Sequence, residues 1–172
     1  PGQTINSTFN GSMFADGSVT IRVDITDPAG NTSMNAGTSA TKDTVAPIGP
    51  TAAAVDSGAQ NAANVINSFN ASMFSVTATF PMTASASDTL VIRATDGTNQ
   101  LATASVAVPV GSTQGANFNG STLTDGTIQI LVDVTDPAGN VTNFTGTPAV
   151  KDTVGALAAT AAQVISGMTN PA

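Results

Sequence analysis

The chain carries one long segment twice, at a fixed separation and without gaps. Asp24-Ile-Thr-Asp-Pro-Ala-Gly-Asn31 returns as Asp133-Val-Thr-Asp-Pro-Ala-Gly-Asn140, 109 residues later. Residues 1–46 align with residues 110–155, and 24 of these 46 positions are identical. A long fixed period indicates a repeated domain. We therefore interpret the chain as a window on a tandem array, whose function depends on length and surface more than on a single pocket.

The period also predicts the domain boundaries. Residues 47–155 form one complete unit on this interpretation, residues 1–46 are the C-terminal strands of an incomplete preceding unit, and residues 156–172 hold the first strand of the next. The two junctions differ, because Gly155-Ala156 stands at the second where Ala46-Pro47 stands at the first.

Composition narrows the class of protein. Only 9% of the 172 residues are charged, while 41% are hydrophobic, which favours a packed β-structure over disorder. The net charge of −7 argues against a nucleic-acid partner, which would need a basic patch. No apolar run approaches the roughly 20 residues of a membrane helix, so we expect no membrane insertion in this segment. Without cysteine, rigidity outside a cell must come from packing or from a metal.

Alternating apolar residues mark the strands. Val19, Ile21, Val23 and Ile25 recur at every second position, and the second copy keeps the pattern as Ile128, Ile130, Val132 and Val134. This period of two predicts a strand with one buried face, which the Asp-Pro-Ala-Gly-Asn turn then ends. Further strands are predicted near residues 33–44, 72–80, 88–96, 100–109 and 142–153. Residues 96–99 are predicted to connect two of them as a hairpin, and the Ala-rich stretch 51–64 fits either a helix or a strand.

Short strands at regular spacing predict an antiparallel β-sandwich. A unit of about 100 residues with seven strands is the size of an immunoglobulin-like domain. Aromatic side chains are expected to fill its core, and the candidates are Phe69, Phe74, Phe80 and Phe118. The fold class predicted for the chain is therefore all-β, with tandem immunoglobulin-like antiparallel sandwiches.

Several motifs in this order resemble a known family. They are Leu123–Gly126 before a strand, Thr135–Asn140 after it, Lys151–Thr153, the linker Lys42–Pro47, and the strand segments Asn64–Asn67 and Leu90–Gly97. Together they look like the bacterial Ig-like repeats of giant secreted surface adhesins. The resemblance implies secretion by a Gram-negative-type cell, an extended chain of domains at the cell surface, and often calcium at the joints.

A calcium site is expected where two units meet. On a sandwich, Asp88, Asp136 and Asn140 fall at the N-terminal pole of the complete unit, and Asp16 and Asp43 at the C-terminal pole of the preceding one. Carboxylates and amide oxygens from both poles could share one Ca²⁺ across the linker. The alternative is that these aspartates serve only as turn and hairpin-corner residues, whose carboxylates bond nearby backbone N–H groups.

Catalysis is not expected. The chain has no His, Cys, Glu or Tyr, so the usual nucleophile and base constellations cannot be assembled. The predicted function is that of a structural extender, which projects an adhesive region from the bacterial cell for attachment or biofilm formation. Its partners are then neighbouring Ig-like repeats of the same chain. The alternative is a subunit of an extracellular filament or surface layer, assembled by strand exchange between identical chains.

Overall fold

The computed structural model describes residues 4–59, 61–158 and 160. The strand expected within residues 156–172 lies mostly outside the described residues, and the described positions 156–158 and 160 belong to no strand. Two short 3₁₀ turns, Gly11–Met13 and Gly120–Thr122, occupy equivalent positions in the two copies of the repeat.

The first two strands form a hairpin of their own. Strand β1 (Gly17–Thr26) pairs antiparallel with β2 (Thr32–Lys42), with a register shift between Thr20 and Arg22. In its turn, the Asp27 N–H donates to Asn31 O at 2.9 Å. The repeated Asp-Pro-Ala-Gly-Asn motif therefore makes the predicted connection.

The remaining strands build two facing sheets. They are β3 (Ala52–Asp56), β4 (Val65–Asn67), β5 (Phe74–Thr79), β6 (Thr89–Thr95), β7 (Gln100–Ala102), β8 (Val106–Ala107), β9 (Thr113–Phe118), β10 (Gly126–Thr135), β11 (Val141–Thr145) and β12 (Ala149–Asp152). One sheet has the order β3-β5-β9. In the other, β10 is central, with β6 on one side and β11 and β12 on the other. β7 and β8 pair with β6, and β4 joins β12 in the one parallel pairing among the described strands.

The core lies between these sheets. Ile128, Ile130, Val132 and Val134 of β10 are fully buried, as their alternation predicts. On the inner face of the other sheet, the rings of Phe74 in β5 and Phe118 in the neighbouring β9 pack with centroids 5.6 Å apart. Phe80 is buried as well. The predicted all-β antiparallel sandwich is confirmed.

Phe69 was expected in the core, and that prediction is wrong. Its side chain is 91% exposed, in the loop between β4 and β5. The Phe69 N–H donates to Asn67 Oδ1 at 3.0 Å, and the Asn67 N–H donates to Asn70 Oδ1 at 2.7 Å. These short-range hydrogen bonds turn the backbone outward directly after β4, so an aromatic residue at this position cannot reach the core.

Some strand predictions need correction. The strand expected over residues 100–109 is divided into β7 and β8, and that over 142–153 into β11 and β12. Strand β9 was not predicted, because Thr113-Gln-Gly-Ala-Asn-Phe118 holds few apolar residues to reveal an alternation. In the Ala-rich stretch, β3 occupies only residues 52–56. The predicted hairpin at residues 96–99 is confirmed, since the Asp96 N–H donates to Asn99 O.

The apolar face of β1 was expected to be buried, and in the structure it is not. Ile21 is 39% exposed, Val23 53% and Ile25 66%, although the pattern matches that of β10. β10 is covered by the sheet β3-β5-β9, and within the described residues no second sheet covers β1. Alternation therefore identified the strand correctly, but burial depends on residues elsewhere in the chain.

Candidate interdomain site

Strand β11 holds the linker that joins the hairpin to the sandwich. Asn140 Nδ2, just before β11, donates to Asp43 O at 3.2 Å. Thr142 Oγ1 donates to Pro47 O at 2.5 Å. A Cβ added at Gly49 would lie 3.0 Å from Thr142 Cγ2, so the backbone passes close to this side chain. Side-chain hydrogen bonds thus fix both ends of the linker to the sandwich.

A cleft opens beside this linker. Its walls are the end of β2 with residues 43–48, the loop before β6, and the turn after β10. Three of the five expected metal-binding residues, Asp43, Asp88 and Asp136, line it. The structure therefore brings together acidic residues from both sides of the joint.

Asp136 has the geometry of a turn residue. Its Oδ1 accepts from the Asn140 N–H and its Oδ2 from Asn140 Nδ2, both at 2.8 Å. These bonds, that of the Asn140 side chain first, lower the pKa of Asp136. Asp27 and Asn31 repeat the arrangement in the first copy. Because Asn140 also donates to Asp43 O, the turn and the joint share this residue.

Asp88 is the least solvated carboxylate of the cleft, with only 5% of the residue exposed. Burial raises the pKa of Asp88, and the neighbouring charges of Asp136 and Asp43 raise it further. Ser85 and Ser87 oppose this rise only in part. The two hydroxyls also bond to each other at 2.7 Å. A buried carboxylate that is repelled by two neighbouring carboxylates is a group that a cation would stabilise.

Asp16 does not line the cleft. Its carboxylate accepts from Lys42 Nζ at 2.6 Å and from the Thr44 N–H at 2.9 Å. It thereby fastens the start of β1 to the segment that carries Asp43. The second copy repeats this cluster, with Asp125 bonded to Lys151 Nζ at 2.6 Å and to the Thr153 N–H at 2.9 Å.

The three carboxylates of the cleft do not form a compact cluster. Over residues 4–59, 61–158 and 160, no group of three or more His, Cys, Asp or Glu side chains is close enough to hold a metal ion. Calcium takes about 6–8 oxygen ligands, which backbone carbonyls and water can also supply. The residues present therefore fit a hydrated cation in an open site better than a fully dehydrated one.

Sequence reasoning missed the contact between Thr142 and Pro47 that holds one end of the linker. Thr142 and Pro47 are 95 positions apart, and no motif connects them. Ser85 and Ser87 were missed as well, because serine is common throughout this chain. The 109-residue period could have drawn attention to Thr142, since the equivalent position in the first copy is Ser33.

The Asp125 cluster predicts a loss of stability in acid. Its hydrogen bonds, that from Lys151 first, lower the pKa of Asp125 from 3.8 to about 2. Because the folded-state pKa lies below the unfolded value of 3.8, the ionised Asp125 carboxylate stabilises the fold at pH values above 3.8. This stabilisation is lost as the pH falls from near 3.8 to about 2. Asp125→Asn should flatten this part of the pH dependence when urea unfolding is followed by circular dichroism. An unchanged acid limb in the variant would contradict the assignment.

Fold, repeat and joint together define an immunoglobulin-like sandwich protein. Residues 38–153 match the family model described as bacterial Ig-like domain, and the chain belongs to this family. The resemblance drawn from the motifs is thereby confirmed. No curated protein matches the chain. Among the described residues, no helix is long and apolar enough to span a membrane.

Several solved structures are similar to the chain. One is a Ca²⁺-stabilised adhesin that helps an Antarctic bacterium reach out and bind ice, with 25% identity, a TM-score of 0.45, and coverage of 81% of this chain and 32% of that one. A second comes from work on the host cell surface retention of a 1.5-MDa bacterial ice-binding adhesin, with 24% identity, a TM-score of 0.42, and coverage of 81% of this chain and 43% of that solved chain. A third is a tetra-tandem repeat in the extending region of a large adhesion protein, with 20% identity, a TM-score of 0.42, and coverage of 82% and 33%. The chain thus spans less than half of each of these solved chains.

Proposed function

We propose that this chain is an extender segment of a large bacterial surface adhesin, holding an adhesive region away from the cell. The observation that carries the proposal is the ungapped 109-residue repeat, whose units meet at a linker fixed by Asn140 and Thr142. The domain boundaries at residues 46/47 and 155/156 belong to the same proposal. The partners on either side are further Ig-like units of the same chain, outside the cell, and the role is structural rather than catalytic.

Length is the property that tests the extender function. A ten-residue strand at about 3.3 Å per residue gives a unit roughly 30–40 Å long. Repeat proteins with only nearest-neighbour contacts extend by one such length for each unit added. We expect the maximum dimension from small-angle X-ray scattering to rise linearly when the 109-residue unit is inserted once, twice and three times. Growth that falls off with copy number, as for a compact particle, would contradict the proposal.

We further propose that Ca²⁺ binds in the cleft at this joint, through Asp43, Asp88 and Asp136 with help from backbone oxygens and water. Support comes from Asp88, which is buried and is repelled by the other two carboxylates. Asn140 positions the linker carbonyl of Asp43, and Asp16 supports the same segment through Lys42 and Thr44. An ion here would neutralise the facing charges and stiffen the joint.

Asp43→Asn and Asp152→Asn form a matched pair for the calcium test. Each aspartate accepts from the N–H two residues later at 3.0 Å, in equivalent turns of the two copies, but only Asp43 lines the cleft. The melting temperature of the wild type should rise with the logarithm of calcium concentration, because a ligand that binds only the folded state stabilises it. This rise should shrink in Asp43→Asn and persist in Asp152→Asn. A wild type that does not respond to calcium or chelator would overturn the site.

Asp88→Asn should raise the stability of the calcium-free chain rather than lower it. Because the pKa of Asp88 is raised in the folded chain, its ionised carboxylate destabilises the fold when the pH is above that raised pKa. The neutral amide should therefore stabilise the calcium-free chain at neutral pH and abolish the response to calcium. Loss of stability without calcium would show that the Asp88 charge serves another contact.

One observation favours a second candidate function, assembly between chains by strand exchange. The apolar face of β1 is open, with Val23 53% and Ile25 66% exposed. Uncovered sheet surface of this kind attracts a complementary strand or sheet. Sedimentation over a wide range of chain concentration separates the two functions. Reversible association that is lost in Ile25→Lys would favour assembly, and a monomer at every concentration would exclude it.

A further inference from the structure

Two loops of the sandwich expose large apolar side chains at opposite ends of the unit. In residues 68–73, between β4 and β5, Phe69 is 91% exposed and Met73 is 69% exposed. In residues 81–88, between β5 and β6, Met82 is 79% exposed. Single apolar residues are common on protein surfaces, so exposure alone says little. What gives these three a role is where the two loops stand relative to the joint.

The loop of residues 68–73, here called the exit loop, stands where the chain leaves the sandwich. It follows directly on β4, whose last residue, Asn67, pairs with Asp152 at the end of β12. Within the loop, Ala71 O accepts from the Gly120 N–H at 2.8 Å, which holds the loop against the same end of the unit. Phe69 and Met73 are thus presented beside the point at which the next unit begins.

The loop of residues 81–88, here called the entry loop, stands where the chain enters the sandwich. It follows β5, whose last residue, Thr79, pairs with Ala52 at the start of β3. Thr83, next to Met82 in this loop, lines the interdomain cleft together with Asp43 of the linker. The entry loop therefore faces the preceding unit.

The repeat shows that the two loops meet in a tandem array. Asp152 is the equivalent of Asp43, 109 residues later in the chain. Asp43 lines the same cleft as Thr83 of the entry loop, and Asp152 pairs with Asn67, directly before the exit loop. The end of β12 in one unit therefore lies next to its own exit loop and, across the joint, next to the entry loop of the following unit.

We infer that Phe69 and Met73 of one unit pack against Met82 of the following unit at each complete joint. The inference rests on the proposed extender function, because it requires a second unit in line. The partner is the next repeat of the same chain, and the contact is apolar on both sides. The unbranched thioether of methionine adapts to an aromatic ring without a fixed geometry, which suits two surfaces that meet only through a linker.

This contact gives the joint a component that does not depend on an ion. Residues 1–46 correspond to residues 110–155 and hold no equivalent of the exit loop, and Met82 is open toward them. A complete preceding unit adds that loop beside the linker. The linker would then be flanked by an apolar contact as well as by the acidic cleft, and rotation of one unit about the other would be restricted.

Methionine oxidation in a chain with residues 47–155 inserted once more after residue 155 tests the inference. The second copy of Met82 then faces a complete unit, whereas the first copy faces only residues 1–46. Met82→Leu in one copy or the other leaves a single methionine at this position, which peptide mapping identifies by mass. With dilute hydrogen peroxide, we expect Met82 of the second copy to form sulfoxide at least about threefold more slowly than Met82 of the first, because the reaction needs access to the sulfur.

Phe69→Ser provides the matched control. Because Phe69 is exposed, this substitution leaves the core intact, which circular dichroism can check. In the first copy, it should remove most of the protection of Met82 in the second copy. In the second copy, whose exit loop faces away from this joint, it should leave the protection unchanged.

Equal oxidation rates in the two copies would overturn the inference, and so would protection that persists when Phe69 of the first copy is replaced. Small-angle X-ray scattering of the same chain separates this failure from failure of the extender function. If the maximum dimension grows by one unit length while the two rates are equal, the extender function stands and the apolar contact alone is wrong. If the dimension does not grow, the array on which both depend is wrong.

Discussion

Replacing Ile130 by alanine is expected to lower the free energy of unfolding of the sandwich by about 2–5 kcal/mol. Ile130 is fully buried at the centre of β10, between the two sheets. Truncation removes buried methyl groups and leaves a cavity that close-packed neighbours cannot fill completely. Urea denaturation followed by far-ultraviolet circular dichroism is the suitable measurement, because the chain has no Trp or Tyr for fluorescence.

The repeat provides a matched control at Ile21. This residue occupies the equivalent position of β1 and is 39% exposed. Ile21→Ala should therefore lower the free energy of unfolding by less than about 1 kcal/mol. A comparable loss at the two positions would show that the β1 face is covered in solution, and it would favour assembly between chains.

Gly146→Ala is expected to be strongly destabilising. A Cβ at this position would lie 2.4 Å from Ala53 O and 2.9 Å from Ala53 Cβ. The Gly146 N–H also donates to Ile130 O, and the next residue, Thr147, donates to Ala53 O, both at 2.8 Å. The chain thus crosses between the two sheets here with no room for a side chain. We expect a loss of about 1–3 kcal/mol or more, from backbone displacement and broken hydrogen bonds.

Gly37→Ala is the control for this substitution. Gly37 occupies the same place in the first copy, and its added Cβ would approach Ile21 O only to 3.4 Å. Alanine should fit there with little change in stability. If Gly146→Ala unfolds at the same urea concentration as the wild type, the close approach to Ala53 is not maintained in solution.

These matched pairs show what a single sequence could and could not predict. The alternation in β10 and the Asp-Pro-Ala-Gly-Asn turn are local patterns, and both gave the correct structure. Burial is not local. Ile21 and Ile130, or Gly37 and Gly146, are identical in type and in repeat position, but within the described residues only the second of each pair lies against a second sheet.

The candidate site likewise has features that the sequence could predict and features that it could not. Placing loops at the poles of a sandwich was enough to predict that Asp43, Asp88 and Asp136 share one region. It could not predict that the carboxylate of Asp16 accepts hydrogen bonds from Lys42 and Thr44, since these depend on contacts across the hairpin. Phe69 failed for a related reason, because a local Asn67 turn outweighed the general preference of phenylalanine for the core. The calcium assignment itself stays a prediction.

The strand register has a consequence for how the unit bears force. Ala52 pairs with Thr79, and Asp56 pairs with Ser75, so β3 begins at the linker end of the sandwich. β12 ends at Asp152, at the opposite end, beside the start of β10. Tension along the chain therefore pulls β3 and β12 lengthwise against their neighbours. The inter-strand hydrogen bonds lie across that direction and are loaded together rather than one at a time. A unit loaded in this way resists shear, which is the mechanical property that the proposed extender function needs.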